Sequence, residues 1–293
     1  MIDADGPFVL LDEAAGARLY RQPVEIIEAR SLDEVRPALA RLREGQRRGL
    51  HAAGFLAYEA GLAFEDRLAR LACPTEAPLL WFGLFEREEK IEDVAALLPD
   101  RSGAYISAPR PLIDRSTYDA MVAAAKAHIE AGDIYQANVT FPCEVECSGH
   151  PLALYAGLRE RARAGHGGVL FTGAHWLLCC SPELFFTLES GRITTRPMKG
   201  TAARGANPAE DVATIERLRS DPKQRAENLM IVDLLRNDLS RVSKPGTVKV
   251  PALFAVETYP TVHQMTSTVT AELEDGIGAF DVVEAIFPCG SVT

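Results

Sequence analysis

Lys199 stands in the run Pro197-Met198-Lys199-Gly200-Thr201, where a strand expected over Arg192 to Arg196 gives way to a polar, glycine-containing turn. A lysine held among apolar and backbone groups has its pKa lowered, and its free amine then serves as a nucleophile or base near neutral pH. A solvated lysine in a turn does neither. Glu183 precedes it by two strand-like runs, Leu184 to Leu188 and Arg192 to Arg196, joined by Glu189-Ser190-Gly191. That is hairpin spacing, and a hairpin brings its outer ends together. The Glu183 carboxyl and the Lys199 amine then flank one ligand as acid and nucleophile, or pair with each other as a cross-strand salt bridge.

The elements that must position these groups have their own signals. Asn207-Pro208-Ala209-Glu210 and Asp221-Pro222-Lys223-Gln224 each place an N-cap, a proline at the first helical position and Glu or Gln two residues later. The second helix is expected from Pro222 to about Arg241, burying Leu229, Ile231, Val232, Leu235 and Leu239, with Glu227 in its first turn. A carboxylate there either complements the helix dipole or holds a cation. Ser116 with Asp119 resembles a capping box; Tyr118, Met121, Val122, Ala125 and Ile129 then recur at helical spacing until Gly132. From Tyr135 the period changes to two, predicting a strand with Gln136, Asn138 and Thr140 on one face. Three hydrogen-bonding side chains on one face are either solvated or line a cavity.

Upstream, short strands such as Pro7 to Leu11 and Leu79 to Phe85 alternate with an amphipathic helix over Leu32 to Gly49, capped by Ser31 with Glu34. The Pro- and Ser-containing stretch Asp100 to Arg115 divides an N-terminal part, residues 1–104, from a motif-bearing core, residues 105–293. Both are expected to belong to one compact fold.

At 293 residues, 47% hydrophobic and 25% charged, the chain is long enough to bury a large core. A net charge of −10 argues against a nucleic-acid surface and gives an anionic substrate no global attraction, so an anion site must be locally basic or metal-assisted. No apolar run reaches the roughly 20 residues of a membrane span, and Met1-Ile2-Asp3-Ala4-Asp5 is acidic where a signal peptide is basic. No membrane association and a cytoplasmic location are therefore expected. The six cysteines carry no CxxC pair and read as reduced, mostly buried thiols rather than a zinc site.

Several long segments, in order, resemble the chorismate-utilising enzymes: Asp133-Ile134-Tyr135-Gln136-Ala137-Asn138-Val139-Thr140, Ser181-Pro182-Glu183-Leu184-Phe185, the Lys199 run, Arg225 to Leu239, Val256 to His263, and Phe287-Pro288-Cys289-Gly290-Ser291-Val292-Thr293. A looser likeness extends to Gly54 to Gly61. The resemblance implies an α+β fold like that of the anthranilate-forming members, two mostly antiparallel sheets packed together with helices outside and the active site in the cleft. It is closest to the para-aminobenzoate branch, which aminates chorismate at C4 with ammonia from a glutamine amidotransferase partner.

In the mechanism so implied, the Lys199 amine attacks C2 while Glu183 protonates the departing C4 hydroxyl; ammonia then adds at C4 and expels the lysine, giving 4-amino-4-deoxychorismate. Position 199 separates the branches: anthranilate synthases, which aminate C2 directly, generally carry alanine there. Isochorismate-forming relatives carry a water-activating lysine at the position of Gln136. Lys199 with Gln136 favours amination at C4, leaving anthranilate synthesis as the alternative. The resemblance further assigns Glu227 to Mg²⁺, and Gly200, Thr201, His263, Gly290 and Ser291 to substrate contacts, although a lone histidine is also a common structural residue. The family motif normally continues beyond Ser291-Val292-Thr293, so a C-terminally incomplete core is expected, with weak turnover or a role only as an interaction module.

Overall fold

A computed structural model describes residues 6–13 and 16–292. The acidic segment Met1 to Asp5 and the terminal Thr293 lie outside the described residues.

Phe8-Val9-Leu10-Leu11 is an unbroken apolar run because its strand, Phe8–Glu13, is covered on both faces. Phe8 and Leu10 pack with Leu152 and Tyr155 of the helix Pro151–Ala162. Val9 packs with Trp81 and Phe85 of a neighbouring sheet. The strand is central in a five-stranded antiparallel sheet, ordered Trp176–Ser181, His166–Phe171, Phe8–Glu13, Gly16–Arg21, Glu89–Ile91. The sheet facing it is three-stranded, Glu25–Ala29, Leu80–Phe85, His51–Leu56, and its far face is closed by the helix Leu32–Arg47. Segments from both sides of the Asp100–Arg115 stretch thus pair in one sheet.

A second five-stranded sheet carries the chemistry-bearing motifs. Its long strand Val262–Glu272 pairs with Lys249–Thr258 on one side and with both Arg192–Arg196 and Met198–Ala203 on the other. Those last two would form one strand but for Pro197, which has no N–H to give the ladder; its carbonyl accepts from Ser267 N at 3.2 Å. The hairpin between Leu184–Glu189 and Arg192–Arg196 turns through Ser190 and Gly191, both at positive φ, as two-residue turns matching strand twist require. The helix Pro222–Ser240 covers one face, packing Ile231, Val232, Leu235 and Leu239 on Ile193, Val269 and Ala271.

Local rules place the helix starts. Asn207 accepts from Glu210 N at 3.0 Å, Asp221 from Gln224 N at 2.9 Å, and Glu34 from Ser31 N at 3.1 Å. Other expectations are corrected. The helix Arg115–Ala131 is capped by Asp114, which accepts from Thr117 N at 2.7 Å, rather than by Ser116. None of its residues is buried, although Gly132 ends it in the left-handed region as expected. No strand forms from Tyr135; residues 134–142 are irregular up to the short strand Cys143–Glu144. Leu229 is exposed, and Asn228 takes the buried position beside it. The cysteines are free, but Cys73, Cys143, Cys147 and Cys179 are exposed rather than buried.

Candidate active site

Glu183 sits where the chain crosses from one sheet into the other, between the strands Trp176–Ser181 and Leu184–Glu189. Its N–H donates to Ser181 Oγ at 3.1 Å, a local turn that holds the crossing tight. Its carboxyl accepts from Met198 N at 3.3 Å and from the Ser291 hydroxyl. Burial pushes this carboxyl above the usual carboxylate range, against the opposing pull of Ser291, Met198 N–H and the Lys199 charge.

Lys199 does not occupy a turn. It lies in the strand Met198–Ala203, at a bulge: Met198 faces Thr266 and Thr201 faces Gln264, so the strand carries one residue more than its partner. Gly200 takes φ +104°, and a Cβ there would lie 3.1 Å from Met265 Cβ, so the bulge needs glycine. Asn228 secures it from the helix, its Nδ2 donating to Lys199 O at 3.2 Å and Met265 O at 3.4 Å while its Oδ1 accepts from Ser267 Oγ at 2.5 Å. The Lys199 amine donates to Asn138 Oδ1 at 3.0 Å and forms no salt bridge with Glu183, so the simple cross-strand pair is not what the hairpin builds. Burial pulls the amine below the ordinary lysine range, opposed by Glu183, Glu227 and Cys289.

The hairpin therefore brings near each other an acid whose pKa is raised and an amine whose pKa is lowered, each within reach of the other's charge. That pairing equips one site to protonate a leaving group and to attack carbon. A cavity of about 330 Å³ opens beside Glu183, lined by Leu56, Tyr58, Phe185, Phe287 and Cys289 among others. This volume is at the small end of ligand pockets. Larger cavities, among them those of about 550 and 770 Å³ against Arg159 and under Tyr105, lie away from this acid and amine.

The remaining expected residues are gathered unevenly. Ser291 is buried, bonded to Glu183 and 2.9 Å from Cys289 Sγ. Gly290 packs so closely that a Cβ would meet Leu234 Cδ2 at 2.2 Å. Thr201 is exposed and donates to Gln264 Oε1 at 2.7 Å. His263 is 0% exposed, with Nδ1 2.9 Å from Thr258 Oγ1 and Nε2 2.9 Å from Asp211 Oδ1. Nε2 ties the helix Pro208–Ser220 to the sheet through Asp211, and Nδ1 lies against Thr258 of the paired strand Lys249–Thr258. Asp211, held well below its ordinary range chiefly by Arg204, remains the anionic end of this array.

Glu227 lies in the second turn of its helix rather than the first, close enough to Lys199 to act on its charge. Among the described residues its one ion pair is a 3.7 Å contact with the exposed Lys223. No cluster of three His, Cys, Asp or Glu side chains fit to hold a metal exists among the described residues. A magnesium ion needs less, since one or two carboxylates with substrate oxygens and water satisfy it. Glu227 fits such a site as a single protein ligand.

Sequence reasoning missed Asn138 as a partner of the lysine and Asn228 as the clamp on the bulge. For Asn228 the signal existed: it falls in helical register with Ile231, Val232, Leu235 and Leu239, a polar residue in an apolar stripe.

Residues 6–293 match the family model for chorismate binding enzyme, and the chain belongs to that family. Aminodeoxychorismate synthase component 1 of Klebsiella aerogenes is 35% identical over 263 residues, covering 83% of this chain and 58% of that protein. The anthranilate synthase alpha subunit 1 of Oryza sativa subsp. indica is 40% identical over 181 residues, 62% of this chain and 31% of that one. This chain thus spans less than two thirds of the length of either relative. The crystal structure of anthranilate synthase component I from Streptococcus pneumoniae TIGR4 superposes with a TM-score of 0.77 at 23% identity, covering all of this chain and 75% of that one. The fold is therefore the α+β fold of anthranilate synthase component I. No helix among the described residues is long and apolar enough to cross a membrane.

Proposed function

We propose that this chain is the chorismate-aminating subunit of an aminodeoxychorismate synthase. The observation that carries the reading is the pairing of Lys199, its amine biased toward the neutral form, with Glu183, its carboxyl biased toward the protonated form, at neighbouring strand ends. Relatives of both branches match at similar identity, so likeness alone does not select the reaction. Lys199, at the position where the resemblance puts lysine in the C4-aminating branch, supports this reading over the C2-aminating one.

The Lys199 amine forms a bond to C2 of chorismate as both ring double bonds shift, C1=C2 to C1=C6 and C5=C6 to C4=C5, and the C4 oxygen leaves as water carrying the Glu183 proton. Ammonia then bonds C4, both double bonds return, and the C2–nitrogen bond to Lys199 breaks. The positively charged lysine nitrogen of the adduct leaves as a neutral amine with both its protons, while the new C4 ammonium keeps its own. The product is 4-amino-4-deoxychorismate. Covalent attachment divides a displacement that ammonia alone would not direct to C4. A bound Mg²⁺ would neutralise a substrate carboxylate inside this acidic protein, with Glu227 as its ligand. Ammonia is supplied by a glutamine amidotransferase subunit. Four exposed free thiols fit a reducing, cytoplasmic setting.

The test is mass spectrometry of the full-length protein incubated with chorismate and Mg²⁺ without ammonia. A chorismate-derived mass on the peptide containing Lys199, absent from Lys199→Ala, is expected. Turnover with ammonium that yields anthranilate, with no adduct, would replace this reading by the C2-aminating one.

A further inference from the structure

Lys199 is held at both ends. Asn228 binds its carbonyl through the bulge, and Asn138 binds its amine from the irregular segment after the helix Arg115–Ala131. We propose that Asn138 is the positioning residue of the nucleophile: its side-chain oxygen pins one N–H of the Lys199 amine and thereby aims the nitrogen lone pair at the ligand. This deepens the chorismate-aminating reading and rests on it.

The Asn138 amide is itself oriented. Its Nδ2 donates to Ser291 O at 3.4 Å, and Gln136 Nε2 approaches its Oδ1 at 3.5 Å, so the oxygen end faces donors and the nitrogen end faces an acceptor. A lysine side chain has several rotors, and freezing them before the ligand arrives removes entropy from the reaction step. The chemical type matters as much as the place. Charged or titratable groups already act on the amine from three elements: Glu183 at the sheet crossing, Glu227 on the helix Pro222–Ser240, and Cys289 on the segment after the helix Ala279–Ile286. Each favours the ammonium form, which is no nucleophile. An amide oxygen fixes the amine as firmly as a carboxylate would and adds no further negative charge.

Asn138→Leu and Asn138→Asp in the full-length protein separate position from charge. Asn138→Leu removes the acceptor at similar volume; it is expected to slow formation of the Lys199 adduct about tenfold or more while chorismate affinity stays within about threefold. Asn138→Asp keeps the acceptor and the shape, so the adduct still forms, but the rising limb of its pH dependence moves to higher pH. Acetic anhydride labelling of Lys199, followed peptide by peptide against pH, should show the same displacement without any chorismate. If the wild type gives no chorismate adduct, the functional reading falls, and the labelling still decides the role of Asn138. Adduct formation by Asn138→Leu at the wild-type rate overturns the proposal, as does a loss of affinity that accounts for the whole loss of rate. An unmoved labelling profile in Asn138→Asp overturns it even where Asn138→Leu fails to fold.

Discussion

Two regions converge on Lys199 and differ in how they are held. On one side lies a strand ladder backed by a helix: Met265 and Val269 are fully buried, Asn228 clamps the bulge, and the Ile231–Leu239 stripe seals the far face. On the other side, residues 134–142 belong to no sheet, Tyr135 is 88% exposed, and the preceding helix buries nothing. The groups that would make and break bonds stand on the first region. Asn138, whose side chain reaches the lysine from outside, and Gln136, which approaches Asn138, stand on the second. A reacting atom must be held to within fractions of an ångström, whereas a segment that admits a ligand gains from adjustment.

The sharpest way to break this contrast is to disable the chemistry without touching the frame. Glu183→Gln keeps an acceptor for Met198 N and Ser291 but no proton to give, and should lower turnover by about 10²- to 10⁴-fold with little change in melting temperature. Wild-type turnover should follow a bell in pH. Below the rising limb the Lys199 amine is protonated and cannot attack; above the falling limb Glu183 is ionised and cannot donate. Because burial lowers one group and raises the other, the limbs stand closer together than free lysine and glutamate would place them, and they belong to the coupled pair. Loss of the falling limb in residual Glu183→Gln activity is the expected signature. An unchanged bell would remove Glu183 from the acid role.

Much of the frame was legible because its signals are local. Two strand-like runs around a short turn were enough to bring Glu183 toward Lys199, and the caps at Asn207 and Asp221 follow from residue types three positions apart. The failures share a cause: they depend on what lies across space. Period-two alternation from Tyr135 states that a segment suits a strand, but a strand exists only beside a partner, and residues 134–142 have none in either sheet. The Asn138–Lys199 bond spans 61 positions and the Asn138–Ser291 bond 153, with nothing in either neighbourhood to announce them. His263 shows the same. The resemblance assigns it a ligand contact, and long-range structure adds what no local signal states: its ring lies between Thr258 of the sheet and Asp211 of a helix 52 positions away. Leu229 was placed inside by hydropathy, but the buried carbonyls of Lys199 and Met265 needed a donor, and Asn228 supplies it.

Stability should divide along the same line. Leu235→Ala opens a cavity beneath the sheet in the best-packed part of the helix that carries Glu227 and Asn228, and should cost about 2–5 kcal/mol by denaturant unfolding. Since that helix also clamps the bulge, the Lys199 adduct should form more slowly at temperatures where the variant remains folded. A cost under about 1 kcal/mol would mean that the frame is looser than its burial indicates.

The smallest effect is expected on the opposite side. Met121 lies in the apolar stripe of the helix Arg115–Ala131 but is 38% exposed, as is fitting for a helix without a buried residue. Met121→Ser removes little area already withdrawn from water, so its cost should stay within about 0.5 kcal/mol and leave adduct formation unaltered. The stripe itself, Tyr118, Met121, Val122, Ala125 and Ile129, has the spacing of a face that packs. A measured cost of about 2 kcal/mol or more would therefore show that this face is covered in solution, and would shift the segment bearing Asn138 from the adjustable side of the comparison to the rigid one.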